Sequence, residues 1–212
     1  MRERSPLDPE AVWKEKDLSS GKAAETMVAI MRTSGCRWFK TGGCTMCGYN
    51  NASSPEISES DLMSQIDVIM KKYKGEPFVK IYTSGSFLDT EEIPLRVRDT
   101  IFDNFSGCER VLFESRPEFV TEETAESLPK NTTVALGLET SNPEILGKAI
   151  NKGFTPEESR AAGEIIRDAG LDVRTYLLLK PLYVTEIQAI EDTVASALFA
   201  DGYSSEISVN PL

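Results

Sequence analysis

Histidine is absent from all 212 residues. That absence removes imidazole acid–base catalysis, every triad that needs a histidine, and every His-ligated metal site. No run approaches the roughly 18 consecutive apolar residues of a membrane-spanning helix, and no charged-then-apolar segment opens the chain. The expected location is therefore cytoplasmic. Positive charge is also scarce: 23 Lys and Arg against 34 Asp and Glu leave a net charge of −11. Phosphate binding rests on Lys and Arg releasing counterions. A nucleic-acid substrate would thus have to be held by a local basic patch or by a partner subunit. An acidic surface kept for solubility is the plainer alternative.

A hydrophobic content of 40 % with 27 % charged residues is ordinary for a soluble globular chain. The length suits one domain with a sizeable core, and an α/β barrel fits within it. Three of the four cysteines, Cys36, Cys44 and Cys47, lie in the glycine-rich stretch Gly35–Tyr49, spaced C-x7-C-x2-C. In a cytoplasmic protein such a cluster reads as a metal site before it reads as disulfides. Cys108, alone after Gly107, reads as a small buried residue.

Residues 1–26 are polar, with Pro6, Pro9 and Ser19-Ser20-Gly21, and predict a loosely ordered extension with one short helix, ahead of a core domain over 27–212. Beyond it strands and helices alternate. Met27–Met31, Phe78–Tyr82, Arg110–Phe113, Thr132–Leu138, Val173–Leu179 and Glu206–Val209 are the strand candidates. Between them, Ser60 can cap a helix that buries Leu62, Ile66, Ile69 and Tyr73. Pro94 opens one that buries Val97, Ile101, Phe102 and Phe105. Thr121 starts a short helix, and Asn142-Pro143 a brief one to about Ile150. Thr155-Pro156-Glu157-Glu158 and Thr185-Glu186-Ile187-Gln188 are capping boxes. The second of these leads a helix predicted to turn Ile190, Val194 and Leu198 inward. Such alternation predicts a parallel α/β sheet with right-handed crossovers. Gly35-Cys36, Ser84-Gly85-Ser86, Glu114 and Glu139 follow four strands at the same end, which favours a barrel with its chemistry at one mouth. The chain stops at Asn210-Pro211-Leu212, directly after a strand, which predicts a domain that continues further.

A structural zinc site takes four Cys or His ligands, and here Cys108 could be the fourth only by reaching across the fold. A fully ligated cubane takes four thiolates. Three leave one iron open to an exogenous ligand, which is what reductive cleavage of S-adenosylmethionine requires. Gly42, Gly43 and Gly48 suit a loop that wraps such a cluster.

From about Met27 onward the sequence resembles the radical S-adenosylmethionine (radical SAM) superfamily. Its commonest spacing is C-x3-C-x2-C. The longer gap resembles the branch containing the Elongator catalytic subunit, as do Glu114-Ser115-Arg116-Pro117-Glu118, Gly137-Leu138-Glu139-Thr140-Ser141 and Asn151-Lys152-Gly153-Phe154-Thr155. The string Gly-Cys-Arg-Trp…Gly-Gly-Cys-Thr-Met-Cys-Gly-Tyr is most similar to the archaeal family of archaeosine synthase radical SAM subunits, whose members are longer than 212 residues.

The resemblance implies an α/β fold, a partial (β/α)6 TIM-like barrel of the radical SAM type. It implies a 4Fe-4S cluster on Cys36, Cys44 and Cys47, with S-adenosylmethionine as second cofactor. Ser84-Gly85-Ser86 stands where the superfamily has a Gly-Gly-Glu-like turn whose carbonyls receive the methionyl amine, although the glutamate is missing. Tyr49 would pack on the adenine, or simply on its own loop. Glu114 and Glu139 would meet ribose hydroxyls or substrate. Arg116 would pair with the cofactor carboxylate, or with Glu114. The implied reaction is a C–N lyase step that converts a lysine adduct of a 7-deazaguanine base to archaeosine in tRNA, presented by the lysine-transferring partner subunit. No catalytic residue of the chain itself is implied. Another radical SAM enzyme of tRNA or small-molecule modification, and a non-catalytic zinc- or cluster-stabilised scaffold, are the alternatives.

Overall fold

Apolar runs bounded by glycine and proline form the strands, and stretches with a 3.6-residue apolar period form the helices. The computed structural model describes residues 5–19 and 21–211. In chain order its elements are β1 (Ala11–Ser19), β2 (Lys22–Ile30), α1 (Arg37–Thr41), α2 (Glu59–Lys72), β3 (Phe78–Tyr82), α3 (Leu95–Asn104), β4 (Arg110–Ser115), α4 (Glu122–Glu126), β5 (Thr132–Glu139), α5 (Pro156–Asp168), β6 (Asp172–Leu179), α6 (Glu186–Asp201) and β7 (Glu206–Pro211). A 3-10 turn spans Tyr49–Ala52 and a π-helix spans Ile145–Ile150. Two compact units share these elements, one from residues 1–36 and 49–114, the other from residues 37–48 and 115–212.

In the first unit β1 runs antiparallel to β2, and β2, β3 and β4 are parallel, with Thr26 opposite Phe78 and Phe78 opposite Arg110. Strands covered on both faces are apolar almost throughout. Met27, Val28, Ala29, Phe78, Val79, Leu112 and Phe113 accordingly have no exposure. Helix α2 buries Leu62, Ile66 and Ile69, and each such side chain contributes about 1.5–3 kcal/mol relative to exposure. Its cap is Ser58 rather than Ser60. Asp61 accepts the Ser58 amide at 2.9 Å while the Ser58 hydroxyl accepts the Asp61 amide, a reciprocal pair that Ser60 has no partner to make. Cys108 is buried, with its sulfur 3.1 Å from the Tyr73 hydroxyl and donating to the Glu76 carbonyl. Burial pushes its thiol pKa up, and the Tyr73 hydrogen bond offsets only part of that.

The N-terminal expectation is corrected. Residues 11–19 are a full strand, with no helix, and β2 begins at Lys22. Residues 1–4 and Ser20 of the expected extension lie outside the described residues. The charges that made this stretch look solvated are spent on buried cations. Lys80, 5 % exposed, lies 2.6 Å from both Glu15 and Asp17, and Arg32 lies 2.6 Å from Glu10.

In the second unit β5, β6 and β7 are parallel, with an irregularity in β5 between Gly137 and Glu139. Three helices there begin in side-chain caps: Thr121, Thr155 and Thr185 each accept the amide three residues on. Helix α6 reverses the expected face. Ile190, Val194 and Leu198 are 61 %, 56 % and 73 % exposed, and Ala189, Ser196 and Ala200 are buried instead. Small residues let the helix approach closely enough for polar contacts to the loop after β5. The Ser141 amide donates to Ser196 at 2.8 Å and the Thr140 hydroxyl to Asp192 at 2.8 Å. Among the described residues no helix is long and apolar enough to cross a membrane.

Close approach also governs α5, where a Cβ on Gly163 would sit 2.2 Å from the buried Tyr203 ring. Gly163→Ala is expected to destabilise the fold by about 1–3 kcal/mol through overpacking, measured as a fall in midpoint on denaturant unfolding.

Candidate active site

Strand β3 ends at Tyr82, and Thr83 with Ser84-Gly85-Ser86 follows as a turn without regular structure. Phe87 then drops into the core, stacked on Phe113 at 4.3 Å, and its amide donates to the Glu114 carbonyl at 2.9 Å. Three donors of the first unit converge on one carboxylate, that of Glu92. Oε1 accepts from the Thr33 hydroxyl at 2.5 Å and the Gly85 amide at 2.9 Å, and Oε2 accepts from the Ser86 amide at 2.6 Å. Glu92 is 3 % exposed. Burial pushes its pKa up, and the bonds from Thr33, Ser86 and Gly85 offset only part of the rise.

The turn lies against the residue that follows β2. A Cβ on Gly85 would fall 2.6 Å from the Cys36 Cα and 2.3 Å from Glu92 Oε2, so only glycine fits. The Ser84 hydroxyl donates to the Tyr49 carbonyl at 3.3 Å, which ties the turn to the chain just past Cys47 and Gly48. The Tyr49 ring itself is 44 % exposed. Glu114 is half-buried at the end of β4.

In the second unit the longer cysteine gap acquires a definite structure. Residues 37–41 form α1, and Trp38 lies on Gly153, where a Cβ would come within 2.5 Å of the indole. The Trp38 Nε1 donates to the Asn151 carbonyl at 2.9 Å, and the Asn151 side chain donates to the Gly43 carbonyl at 2.7 Å. Thr45 donates to the Ile150 carbonyl from its amide and to the Ala149 carbonyl from its hydroxyl. Met46 packs on Leu146, Ala149, Ile150 and Leu178. The segment carrying Cys44 and Cys47 is thus seated on the π-helix and its exit, in the Asn151-Lys152-Gly153-Phe154 string.

That exit carries an ion pair. Glu139 ends β5 in the left-handed region, with φ 67°, and its carboxylate lies 2.7 Å from Lys152 Nζ. Burial disfavours the Lys152 ammonium, but the Glu139 carboxylate and the Cys44 sulfur outweigh it, so the pKa is held above the ordinary lysine value. Arg116 is 8 % exposed. It lies 2.5 Å from Glu118, donates to the Lys152 carbonyl at 3.0 Å, and faces the Trp38 and Phe154 rings.

Each unit therefore gathers part of the expected set: Cys36 with Ser84, Gly85, Ser86 and Tyr49 in one, Cys44 with Glu139 and Arg116 in the other. Among the described residues no three Cys, Asp or Glu side chains are grouped as for a single metal ion. The donor chemistry fits a thiolate-held cluster. Cys36, Cys44 and Cys47 are each partly accessible, none is in a disulfide, and Cys36 has a glycine carved against it. Sequence reasoning assigned no role to Glu92 or Lys152. The glycine at 153 was the one local signal for the seat of Trp38.

Residues 30–194 match the family described as the Radical SAM superfamily. The chain belongs to the radical SAM superfamily. It is 43 % identical over 215 residues to archaeosine synthase subunit beta of Methanosarcina acetivorans, covering 96 % of this chain and 62 % of that protein. It is 35 % identical over 212 residues to archaeosine synthase subunit beta of Thermococcus kodakarensis, covering 93 % and 65 %. The chain thus spans somewhat under two thirds of the length of these relatives. Among solved structures, methylornithine synthase (PylB) is similar with a TM-score of 0.63 at 15 % identity, over 87 % of this chain and 52 % of that one. That likeness shows the fold: α/β, of the partial-barrel type that the family resemblance implied.

Gly153→Ala should unseat Trp38, since its φ of +79° and the 2.5 Å approach both exclude a side chain. In a Trp13→Phe background the expected outcome is a red shift of the remaining tryptophan emission, with about 1–3 kcal/mol lost in denaturant unfolding.

Proposed function

We propose that the chain is the catalytic radical SAM portion of an archaeosine synthase, using a 4Fe-4S cluster held by Cys36, Cys44 and Cys47. The observation that carries this reading is the 43 % identity to a protein named archaeosine synthase subunit beta over nearly the whole chain, which includes the C-x7-C-x2-C loop. The absence of histidine leaves thiolates as the soft donors, and three of them leave one iron for an amino acid chelate. When bound, the cluster supplies one electron for cleavage of S-adenosylmethionine to a 5′-deoxyadenosyl radical.

The protein's part is to bind and orient. The Ser84-Gly85-Ser86 turn offers carbonyls to the methionyl amine. Arg116 is the basic group assigned to the methionyl carboxylate, as a planar, permanently charged donor already held in place by Glu118 and the Lys152 carbonyl. Glu139, in the left-handed region and paired with Lys152, presents its remaining acceptor capacity to ribose hydroxyls or substrate, with Glu114 as the second such carboxylate and Tyr49 against the adenine. The proposed substrate is a lysine joined to a 7-deazaguanine base of tRNA. The proposed reaction is a lyase step in which the lysine C–N bond would break, leaving the amidine of archaeosine on the tRNA and releasing the amino-acid fragment. With a net charge of −11 the chain is a weak tRNA binder by itself. The lysine-transferring subunit is accordingly proposed as the partner that presents the tRNA in the cytoplasm.

After anaerobic loading with iron and sulfide and reduction, the protein is expected to release 5′-deoxyadenosine from S-adenosylmethionine. Alanine at Cys36, Cys44 or Cys47 abolishes that release, whereas Cys108→Ala retains it. One zinc per chain with no absorbance near ~400 nm would sink the cluster assignment. Lysine-adduct tRNA, assayed with and without the partner, should yield archaeosine. Cofactor cleavage without that product would point to another substrate.

A further inference from the structure

A trans peptide is planar, so the carbonyl of one residue and the amide of the next point in opposite directions. No peptide among the described residues is cis. Glu92 accepts both amides of the turn after β3, from Gly85 at 2.9 Å and Ser86 at 2.6 Å. Binding the Gly85 amide turns the Ser84 carbonyl away from Glu92, and binding the Ser86 amide does the same for the Gly85 carbonyl. One buried carboxylate therefore sets the direction of two carbonyls. It reaches the end of β2 as well. Oε1 takes the Thr33 hydroxyl at 2.5 Å, and the Thr33 oxygen in turn accepts the Gly35 amide at 3.3 Å, one residue before Cys36. A Cβ built on Gly85 would fall 2.6 Å from the Cys36 Cα, so the turn and the cysteine backbone lie in close contact.

We propose that Glu92 is a positioning residue for the cofactor site: it holds the Ser84 and Gly85 carbonyls toward the methionyl amine of S-adenosylmethionine and keeps Cys36 in register with that turn. The proposal rests on the radical SAM reading of the same site. It also bears on the departure noted in the sequence, a turn without the glutamate of the superfamily's Gly-Gly-Glu-like turn. Here the carboxylate comes from six residues after Ser86 and acts from behind the turn, on its amides.

Glu92→Gln keeps the size and removes one acceptor. Its oxygen can serve the Gly85 amide and Thr33, but its NH2 then faces the Ser86 amide, donor against donor. In the loaded, reduced protein we expect iron and sulfide contents close to the parent's, with a melting temperature lowered by the buried donor–donor contact. The electron paramagnetic resonance change on adding S-adenosylmethionine should need at least about tenfold more of it. In the apoprotein, hydrogen exchange of the Gly85 and Ser86 amides should accelerate by a similar factor. Thr33→Val, which removes one donor and leaves the carboxylate, should give a smaller shift in the same direction, about threefold. Parent-like titrations in both variants overturn the proposal, as does a parent-like titration in Thr33→Val alone should Glu92→Gln fail to fold. A parent that loads a cluster yet shows no response to S-adenosylmethionine overturns the functional reading instead. Amide exchange then decides the hold of Glu92 on the turn, with unchanged exchange overturning it.

Discussion

A carboxylate buried among hydrogen-bond donors is the constraint on which the first unit's site depends. Glu92 has left water, and such a group is tolerated only where donors replace its hydration. The donors are the Thr33 hydroxyl and the Gly85 and Ser86 amides, so meeting the needs of the acid also fixes the ends of two neighbouring parallel strands. Parallel sheets leave these strand ends as loops, where backbone amides and carbonyls have no ladder partners. A buried side chain that claims the amides determines which way the carbonyls face. The glycine at 85 is then required twice over, by Glu92 on one side and by Cys36 on the other.

The second unit solves a related problem with opposite charges. Lys152 is part-buried against the buried Glu139 and within the field of Cys44, and its carbonyl receives Arg116. Breaking such a pair by removing one member leaves a buried charge, at a cost of about 3–5 kcal/mol. Glu139 also sits in the left-handed region, a strain that the surrounding contacts must hold in place. The same loop is the floor for the cysteine segment. The extra residues of the C-x7-C gap form α1, whose Trp38 closes over Gly153. The lengthened gap and the Asn151-Lys152-Gly153 string are thus two halves of one packing arrangement.

Local chemistry explains what could be read from the chain. Capping boxes at Thr155 and Thr185 are bonds between residues three apart, and apolar runs such as Phe78–Tyr82 are strands in any parallel sheet, so both survive intact in the structure. The failures are non-local. Strand β1 was hidden because its Glu15 and Asp17 look solvated until Lys80, on β3, is known to lie buried beside them. The face of α6 was reversed because large apolar residues are assumed to point inward, whereas close packing and the Ser196 and Asp192 hydrogen bonds select the small, polar face.

The chain alone determined the strand–helix alternation, the three-thiol motif and, through the lack of histidine, the kind of metal chemistry open to it. Each is written in residue types and short spacings, which need no fold to be read. Only tertiary structure decided that Glu92, one acid in an acidic loop, would be buried against the turn, and that Lys152 would be charged beside Glu139 and Cys44. Burial is what separates a structural carboxylate from a solvated one, and burial is a property of neighbours distant in sequence. Thr33 and Glu92 are 59 positions apart, and no local pattern couples them.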